Sequence, residues 1–342
     1  MKKIFIKLLF CCGLVMSSNI SAAVEETELF NTFINKMVEQ HQFDKVELQT
    51  LFQSVDIKQK IIATMQRPAE GLPWHKYRKI FMTDKRIKGG VKFWQQNETA
   101  LNTVADKYGV PAEVIIAIIG VETQYGGNTG YHRVIDALST LGFSYPKRSK
   151  FFLSELENFL ILCREENMDP LQPTGSYAGA MGIPQFMPSS YRAYAADFEA
   201  DEKRDIWSNP ADAIASVANY FVMHHWKKGE AVVFPAVAEG EGYNTLLTKG
   251  LKPDSTWSEL EKKAIFSDSS LKMDDIVKLL AYEQPGKSDL WVALNNFYVI
   301  TRYNHSPLYA MAVFQLSEAI SNARNKEQLV VSKEVTSVTN NE

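Results

Sequence analysis

The chain predicts a mainly α (α+β) protein carrying one small β-containing unit. Three observations point there: apolar residues at helical spacing through the first two thirds, Pro and Gly placed where helices start and stop, and a change of texture after Gly229. Residues 24–67 read as amphipathic helices, with Leu29, Phe30, Phe33, Ile34 and Met37 on helical spacing. The pattern stays helical from Trp74 to Tyr108. Residues 111–228 form a Gly-punctuated helical block that includes Lys150–Glu165 and Asp212–Lys227. Between Gly229 and Asn296, runs such as Val232-Val233-Phe234 and Thr245-Leu246-Leu247 are broken by Gly240, Gly242, Gly250, Pro253, Pro285 and Gly286. Short runs between turn residues are the mark of a small sheet. A helix returns at Tyr309–Arg324, and the polar stretch Asn325–Glu342 reads as a frayed tail.

At 342 residues the chain is long for a single core, so two or three domains are expected. A net charge of -3 gives no reason to expect nucleic acid or an anionic membrane as partner. Lys2, Lys3 and Lys7 precede an apolar stretch from Leu8 to Met16, and Ser21-Ala22-Ala23 follows. That is the layout of a secretory signal peptide over residues 1–23, cleaved after Ala22 or Ala23. Cys11 and Cys12 raise the question of a lipid anchor, but Cys11 follows the bulky Phe10 and lies too early, which favours a soluble exported protein. After cleavage only Cys163 remains, so no internal disulfide can form; its place at the end of Phe159-Leu160-Ile161-Leu162 makes it a core thiol.

The residue that points to chemistry is Glu122, in the run from Val110 to Gly127. Pro111 suits the first helical position and Gly126-Gly127 suits a stop. Ile115, Ile118, Ile119 and Glu122 fall at i, i+3, i+4 and i+7, so the acid shares a face with three isoleucines. Loss of solvation there raises a carboxyl pKa. An acid protonated near neutrality is what protonation of a departing sugar oxygen requires. The structural alternative is a buried Glu satisfied by backbone or Arg. A second dense segment, Gly175 to Tyr191, adds small residues at Gly175, Ala178, Gly179, Ala180 and Gly182 that admit close backbone approach. Within it, Gln185 offers an amide suited to an N-acetyl group, and Phe186 and Tyr191 offer flat faces for a sugar ring. A tight helix-packing turn is the competing explanation.

Five runs, Ala117-Ile-Ile-Gly-Val-Glu-Thr123, Gly175-Ser-Tyr-Ala-Gly-Ala-Met-Gly182, Gln185-Phe-Met-Pro-Ser-Ser-Tyr191, Asn219-Tyr-Phe221 and Ile300-Thr-Arg-Tyr-Asn-His-Ser306, resemble the membrane-bound lytic murein transglycosylase B family, in order, from about Trp74 to Arg324. The resemblance implies a goose-type lysozyme-like helical core (111–228), an additional helical domain (24–110, completed by a helix at 305–324), a small β-containing domain (229–304) and a tail (325–342). It implies cleavage of the MurNAc–GlcNAc β-1,4 bond of peptidoglycan without water, leaving a 1,6-anhydromuramoyl end. The catalytic acid then falls on Glu122. Ser176 is similar to the family hydroxyl lying against that carboxylate, and Gln185 to the amide that contacts substrate. Tyr77, Lys147, Arg148, Phe186, Tyr220, Tyr303, Asn304 and Tyr309 match family positions lining the glycan groove. At Lys147 the resemblance leads one to expect Arg in many relatives, so the Lys weakens any bidentate contact there.

The chemistry is self-consistent with one carboxyl group. Ordinary glycosidases need two. When the sugar's own C6 hydroxyl attacks, one group can donate a proton to the glycosidic oxygen and then take the C6 proton, and tethering the nucleophile spares the entropy of capturing water. No cofactor is needed. The partners implied are peptidoglycan glycan strands and cell-wall synthesis or division proteins, met in the periplasm by a monomer. The rivals are a muramidase that admits water, told apart by its products, and a glycan-binding scaffold with a dead site, against which Glu122, Ser176 and Gln185 stand together.

The acidic run Asp197 to Trp207 resembles the family's EF-hand-like calcium loop. Asp197, Glu199, Asp201, the Lys203 carbonyl and Asp205 take positions 1, 3, 5, 7 and 9, with Asp212 as the closing acid. Two departures weaken it: Glu202 stands where the loop wants Gly, and Asp212 comes one residue late. The expectation is calcium binding of the millimolar class, or a solvated acidic loop.

Overall fold

The computed structural model describes residues 27–66, 71–267 and 270–339, with side chains to Leu329. The signal segment and its cysteines lie outside the described residues. Among those described, no helix is long and apolar enough to cross a membrane.

Three short helices, Glu28–His41, Lys45–Gln53 and Gln59–Met65, open the chain. The first two start on sequence-legible caps: the Thr27 side chain accepts from the Phe30 N–H, and Asp44 accepts from Val46 and Glu47. Phe30, Phe33 and Phe52 pack edge-to-face with Phe143, at centroid distances from 5.7 to 6.2 Å, binding this layer to the central block. Helices Trp74–Phe81, Asp84–Gln96 and Glu98–Tyr108 follow, the last closed by Gly109 at φ 69°. Then comes Ala112–Thr123, the axis of the molecule. Ile115, Ile116, Ala117, Ile118 and Ile119 are all 0% exposed, so this helix is buried on every side rather than on one face. Pro111 is its extended N-cap residue, one place earlier than the sequence suggested. Helices Val134–Ser144, Ser149–Glu165, Pro188–Tyr194 and Pro210–Met223 complete the block, with Cys163 buried in the shared core and its thiol pushed up to about 12 by burial.

The β unit is a five-stranded antiparallel sheet in the order Ser255–Thr256, Ile276–Gln284, Lys287–Ala293, Val233–Ala238, Ile265–Phe266. Period-two alternation divides its faces. Val277, Leu279, Leu290 and Val292 point into a small core of their own with Trp257, Leu260 and Ile265. Leu280, Tyr282 and Ala293 point the other way, into the main core. Thr245-Leu246-Leu247 is not a strand: Gly242–Leu246 forms a 3-10 turn.

After helix Asn295–Tyr303, helix Pro307–Thr339 packs on both Ala112–Thr123 and Asp84–Gln96. It continues to Thr339, so the stretch after Asn325, read from composition as a frayed tail, is helical through that residue.

One small ladder escaped the sequence reading. His132–Arg133 pairs antiparallel with Thr174–Gly175, with His132 opposite Gly175. Gly130 sits beside it at φ 90°, where an added Cβ would lie 2.1 Å from the Gly175 carbonyl oxygen. Gly130→Ala should therefore lower the unfolding free energy by more than about 2 kcal/mol, because neither the left-handed backbone nor the space tolerates a side chain. Urea unfolding measures this, and a wild-type midpoint would show that the loop has room to move.

Candidate active site

Glu122 is the penultimate residue of helix Ala112–Thr123. The helix ends before the glycines that seemed to stop it: Gln124 and Tyr125 already adopt left-handed φ values of 52° and 65°. The Gln124 N–H donates to the Gly120 carbonyl at 3.2 Å, and the Tyr125 N–H to that of Ile119 at 3.3 Å, closing the end. Thr123, fully buried, places its Oγ1 2.9 Å from the Ile183 carbonyl oxygen and accepts the Gly126 N–H at 3.0 Å. The end that carries Glu122 is thereby tied to the loop leading to Gln185.

Glu122 keeps a partly exposed edge while protein surrounds the rest of it. Burial pushes its pKa up to about 7, against a smaller downward pull from the Tyr309 hydroxyl, which donates to Oε1 at 2.6 Å. Among the described residues, no second carboxylate acts on its charge. Oε1 is engaged by Tyr309, which leaves Oε2 to hold a transferable proton. Tyr309 is set by local chemistry: Ser306 accepts the Tyr309 N–H on its hydroxyl at 3.3 Å, and Pro307 begins the last helix. Tyr282 in the sheet donates to the Pro307 carbonyl at 2.9 Å and packs on Trp74, 5.0 Å between centroids.

An aromatic group supports this pair. Tyr303 donates to the Pro184 carbonyl at 2.7 Å and stands 4.8 Å from Tyr220, centroid to centroid. Tyr220 donates to the Arg302 carbonyl and stacks on His224 at 4.1 Å. Tyr77 is buried beside Trp74 and Phe81. Two expected sugar faces are closed: Phe186 is 2% exposed beneath Tyr220 and Tyr303, and Tyr191 is 1% exposed with its hydroxyl on the Arg204 carbonyl.

Ser176 does not bond to Glu122; the hydroxyl on the carboxyl group is that of Tyr309. Ser176 Oγ accepts the Ala178 and Ala180 N–H groups, at 3.3 and 3.1 Å, so its own proton is free for another oxygen. Gln185, at φ 52°, donates its amide hydrogens to the Thr129 and Gly182 carbonyls at 3.1 and 2.9 Å. Both neighbours are acceptors, which fixes the amide orientation and leaves Oε1 as the group it can offer. Asn304 ends helix Asn295–Tyr303, half-buried. Lys147 and Arg148 are exposed on the turn Pro146–Arg148, where Arg148 stacks over Phe151 at 4.4 Å, and neither bonds to the Glu122 group. A cavity of about 650 Å³ on the small sheet, lined by Pro235, Tyr243 and Trp291 among others, includes none of these residues. Tyr125, Thr123 and Ser306 went unnoticed in the sequence reading; the Ser306-Pro307 pair ahead of Tyr309 was the available signal.

In the acidic loop, three carboxylates converge: Asp197, Glu199 and Asp212 each place an oxygen within 4.8 Å of the others. Asp212 is buried and accepts the Phe198 and Asp205 N–H groups at 2.7 and 2.9 Å, so its late position in sequence is no obstacle. Burial and the neighbouring Glu199 and Asp197 charges raise its pKa. Asp201 and Asp205 stand outside this cluster; they accept backbone N–H groups, as Asp197 also does from Asp201 and Glu202, and Lys203 is exposed. Glu202 takes the glycine position at φ 68°, so the loop accepts the strained backbone. The donor set is all oxygen and anionic, which fits a hard divalent cation.

A family model described as the transglycosylase SLT domain matches residues 25–318. The chain belongs to that family. It is 43% identical over 302 residues to the membrane-bound lytic murein transglycosylase B of Escherichia coli (strain K12), covering 85% of this chain and 82% of that protein. Its fold is similar to the soluble lytic transglycosylase SltB1 from Pseudomonas aeruginosa, with TM-score 0.82, 48% identity, and coverage of 86% of this chain and 98% of that one. It is also similar to the Escherichia coli lytic transglycosylase Slt35 solved in complex with calcium, with TM-score 0.81, 42% identity, and coverage of 87% and 94%. The lysozyme-like, mainly α architecture is that of this family.

Because the Tyr309 bond favours the charged form of Glu122, its loss should raise the pKa further. In Tyr309→Phe, the Glu122 titration followed by carboxyl carbon NMR is expected to move above about 7. An unchanged or lower midpoint would mean that the hydroxyl does not act on the carboxyl group.

Proposed function

We propose that this protein is a peptidoglycan lytic transglycosylase in which Glu122 is the sole acid and base. The observation that carries the assignment is a single carboxyl group, held near neutrality by burial, with one oxygen taken by Tyr309 and no second carboxylate among the described residues acting on it. Glu122 Oε2 gives its proton to the glycosidic oxygen as the bond from C1 of the muramoyl unit breaks. The neighbouring N-acetyl carbonyl stabilises the cation, and Gln185 Oε1 accepts the acetamido N–H. The carboxylate then takes the proton of the C6 hydroxyl as O6 bonds to C1, which restores the acid and closes the 1,6-anhydro ring. The C6 hydroxyl replaces the water that a second carboxylate would otherwise activate. Ser176, Tyr77, Tyr220, Tyr303 and Asn304 hold the glycan, with Lys147 and Arg148 contacting it further out. Phe186 acts beneath them as support.

The organisation fits this use. We assign the helical unit 24–110 with the last helix, the catalytic core 111–228 and the β unit 229–304; the separate small core of the sheet supports that last division. The signal-like segment supports action in the periplasm on glycan strands. In Glu122→Gln, the amide can still accept from Tyr309 but cannot carry the proton. Release of 1,6-anhydromuropeptides from purified sacculi should fall about a thousandfold while sacculus binding persists. Substantial turnover in this variant, or reducing ends in place of anhydro ends in the wild type, would overturn the assignment.

The convergent carboxylates and the calcium complex of the Slt35 relative support calcium at Asp197, Glu199 and Asp212. Strain at Glu202 and a cluster that includes neither Asp201 nor Asp205 favour weak binding. The melting temperature should be unchanged at about 10 μM calcium and rise at several mM, roughly where concentration passes the dissociation constant of such a site. That rise should vanish in Glu199→Gln; stabilisation at micromolar calcium would contradict the weak class.

A further inference from the structure

Glu122 lies at a helix end, where backbone ordinarily frays, yet its chemistry needs a fixed position. Two residues later the chain turns through two left-handed residues without glycine, Gln124 and Tyr125. Such a turn persists only where its surroundings hold it. What holds it is a slot made by three glycines. A Cβ on Gly120, in the same helix, would stand 2.6 Å from the Tyr125 hydroxyl oxygen. On helix Asp84–Gln96, a Cβ at Gly89 would meet the Tyr125 ring at 2.8 Å, and one at Gly90 its hydroxyl at 2.8 Å. The hydroxyl donates to the Arg86 carbonyl at 2.7 Å, and Phe93 packs on the ring at 5.7 Å. Tyr125 thus folds back over its own helix and pins the Glu122 end to helix Asp84–Gln96.

The same slot governs the other half of the pair. Gly90 also makes room for Ile320 of the last helix, whose Cδ1 would lie 2.6 Å from a Cβ there. That last helix carries Tyr309. Helix Asp84–Gln96 is therefore the common reference against which the Glu122 helix and the Tyr309 helix are both seated.

Resting on the assignment of Glu122 as the acid, we infer that Tyr125 is a positioning residue that sets the distance between the Glu122 carboxyl group and the Tyr309 hydroxyl. It does not touch the substrate. The titratable groups acting around the pair are Tyr309 and Tyr303, with Tyr77 beyond Tyr309; Arg86 faces Tyr125 itself.

The test compares Tyr125→Leu, which empties the slot, with Tyr125→Phe, which keeps the ring. Leu260→Ala, in the small sheet core, serves as a destabilised control. Two readouts are taken well below each melting temperature: the Glu122 midpoint by carboxyl carbon NMR, assigned with Glu122→Gln, and kcat and KM on sacculi. In Tyr125→Leu the midpoint should shift away from about 7, and kcat should fall by about a hundredfold with KM little changed. Tyr125→Phe should stay within a few-fold of wild type, and Leu260→Ala should keep the midpoint. An unshifted midpoint in Tyr125→Leu overturns the inference whatever the activity. A shifted midpoint with undiminished kcat leaves the positioning intact and instead refutes Glu122 as the acid. Should Tyr125→Leu fail to fold, Gly120→Ala crowds the same hydroxyl from a helical site where Ala is otherwise favoured. An unshifted midpoint there counts equally against the inference.

Discussion

A carboxylic acid keeps its proton near neutrality only where water is held off, and the chain meets that constraint by carrying Glu122 in the last turn of a helix whose middle is sealed. Ile115 to Ile119 are sealed on all sides, so the helix has no solvent face to tilt toward. The acid emerges at its last turn, where one edge is open. Burial then outweighs the single hydrogen bond that favours the charge. A more exposed Glu would be ionised at neutral pH; a fully sealed one would be out of reach of any other molecule.

The constraint spreads through the molecule because the second member of the pair comes from 187 residues away. Tyr309 must arrive at hydrogen-bond distance, so the start of the last helix has to be fixed. Ser306 and Pro307 do this locally, and Tyr282 does it from the sheet by binding the Pro307 carbonyl. The sheet can reach across because its faces serve different cores: one closes the small unit, the other joins the main body. A β unit that looks peripheral in the strand order is thus a brace for the site.

The acidic loop shows the same economy of position over pattern. Its sequence departs from the calcium-loop rule at Glu202 and at the spacing of Asp212. The fold absorbs both, one as a left-handed residue and the other by bonding Asp212 to two backbone N–H groups across the loop. What it does not preserve is the full ligand set: Asp197, Glu199 and Asp212 converge, while Asp201 and Asp205 stand outside that cluster.

Much of this protein was legible in one dimension. Apolar periodicity located the helical blocks, and the Gly- and Pro-broken texture after Gly229 located the sheet. Local pattern could show these because each depends on residues a few positions apart. It also marked Glu122 as an acid on an apolar helix. It erred where composition competes with packing: the polar stretch after Asn325 is helical to Thr339, Thr245 to Leu247 form no strand, and Phe186 and Tyr191 are core rather than platform. Only the tertiary structure could decide that Tyr309, not Ser176, holds the Glu122 carboxyl group, and that three glycines on two helices make a slot for Tyr125. Those are distances between segments far apart in the chain. Spacing along a sequence carries them only once the helices have packed.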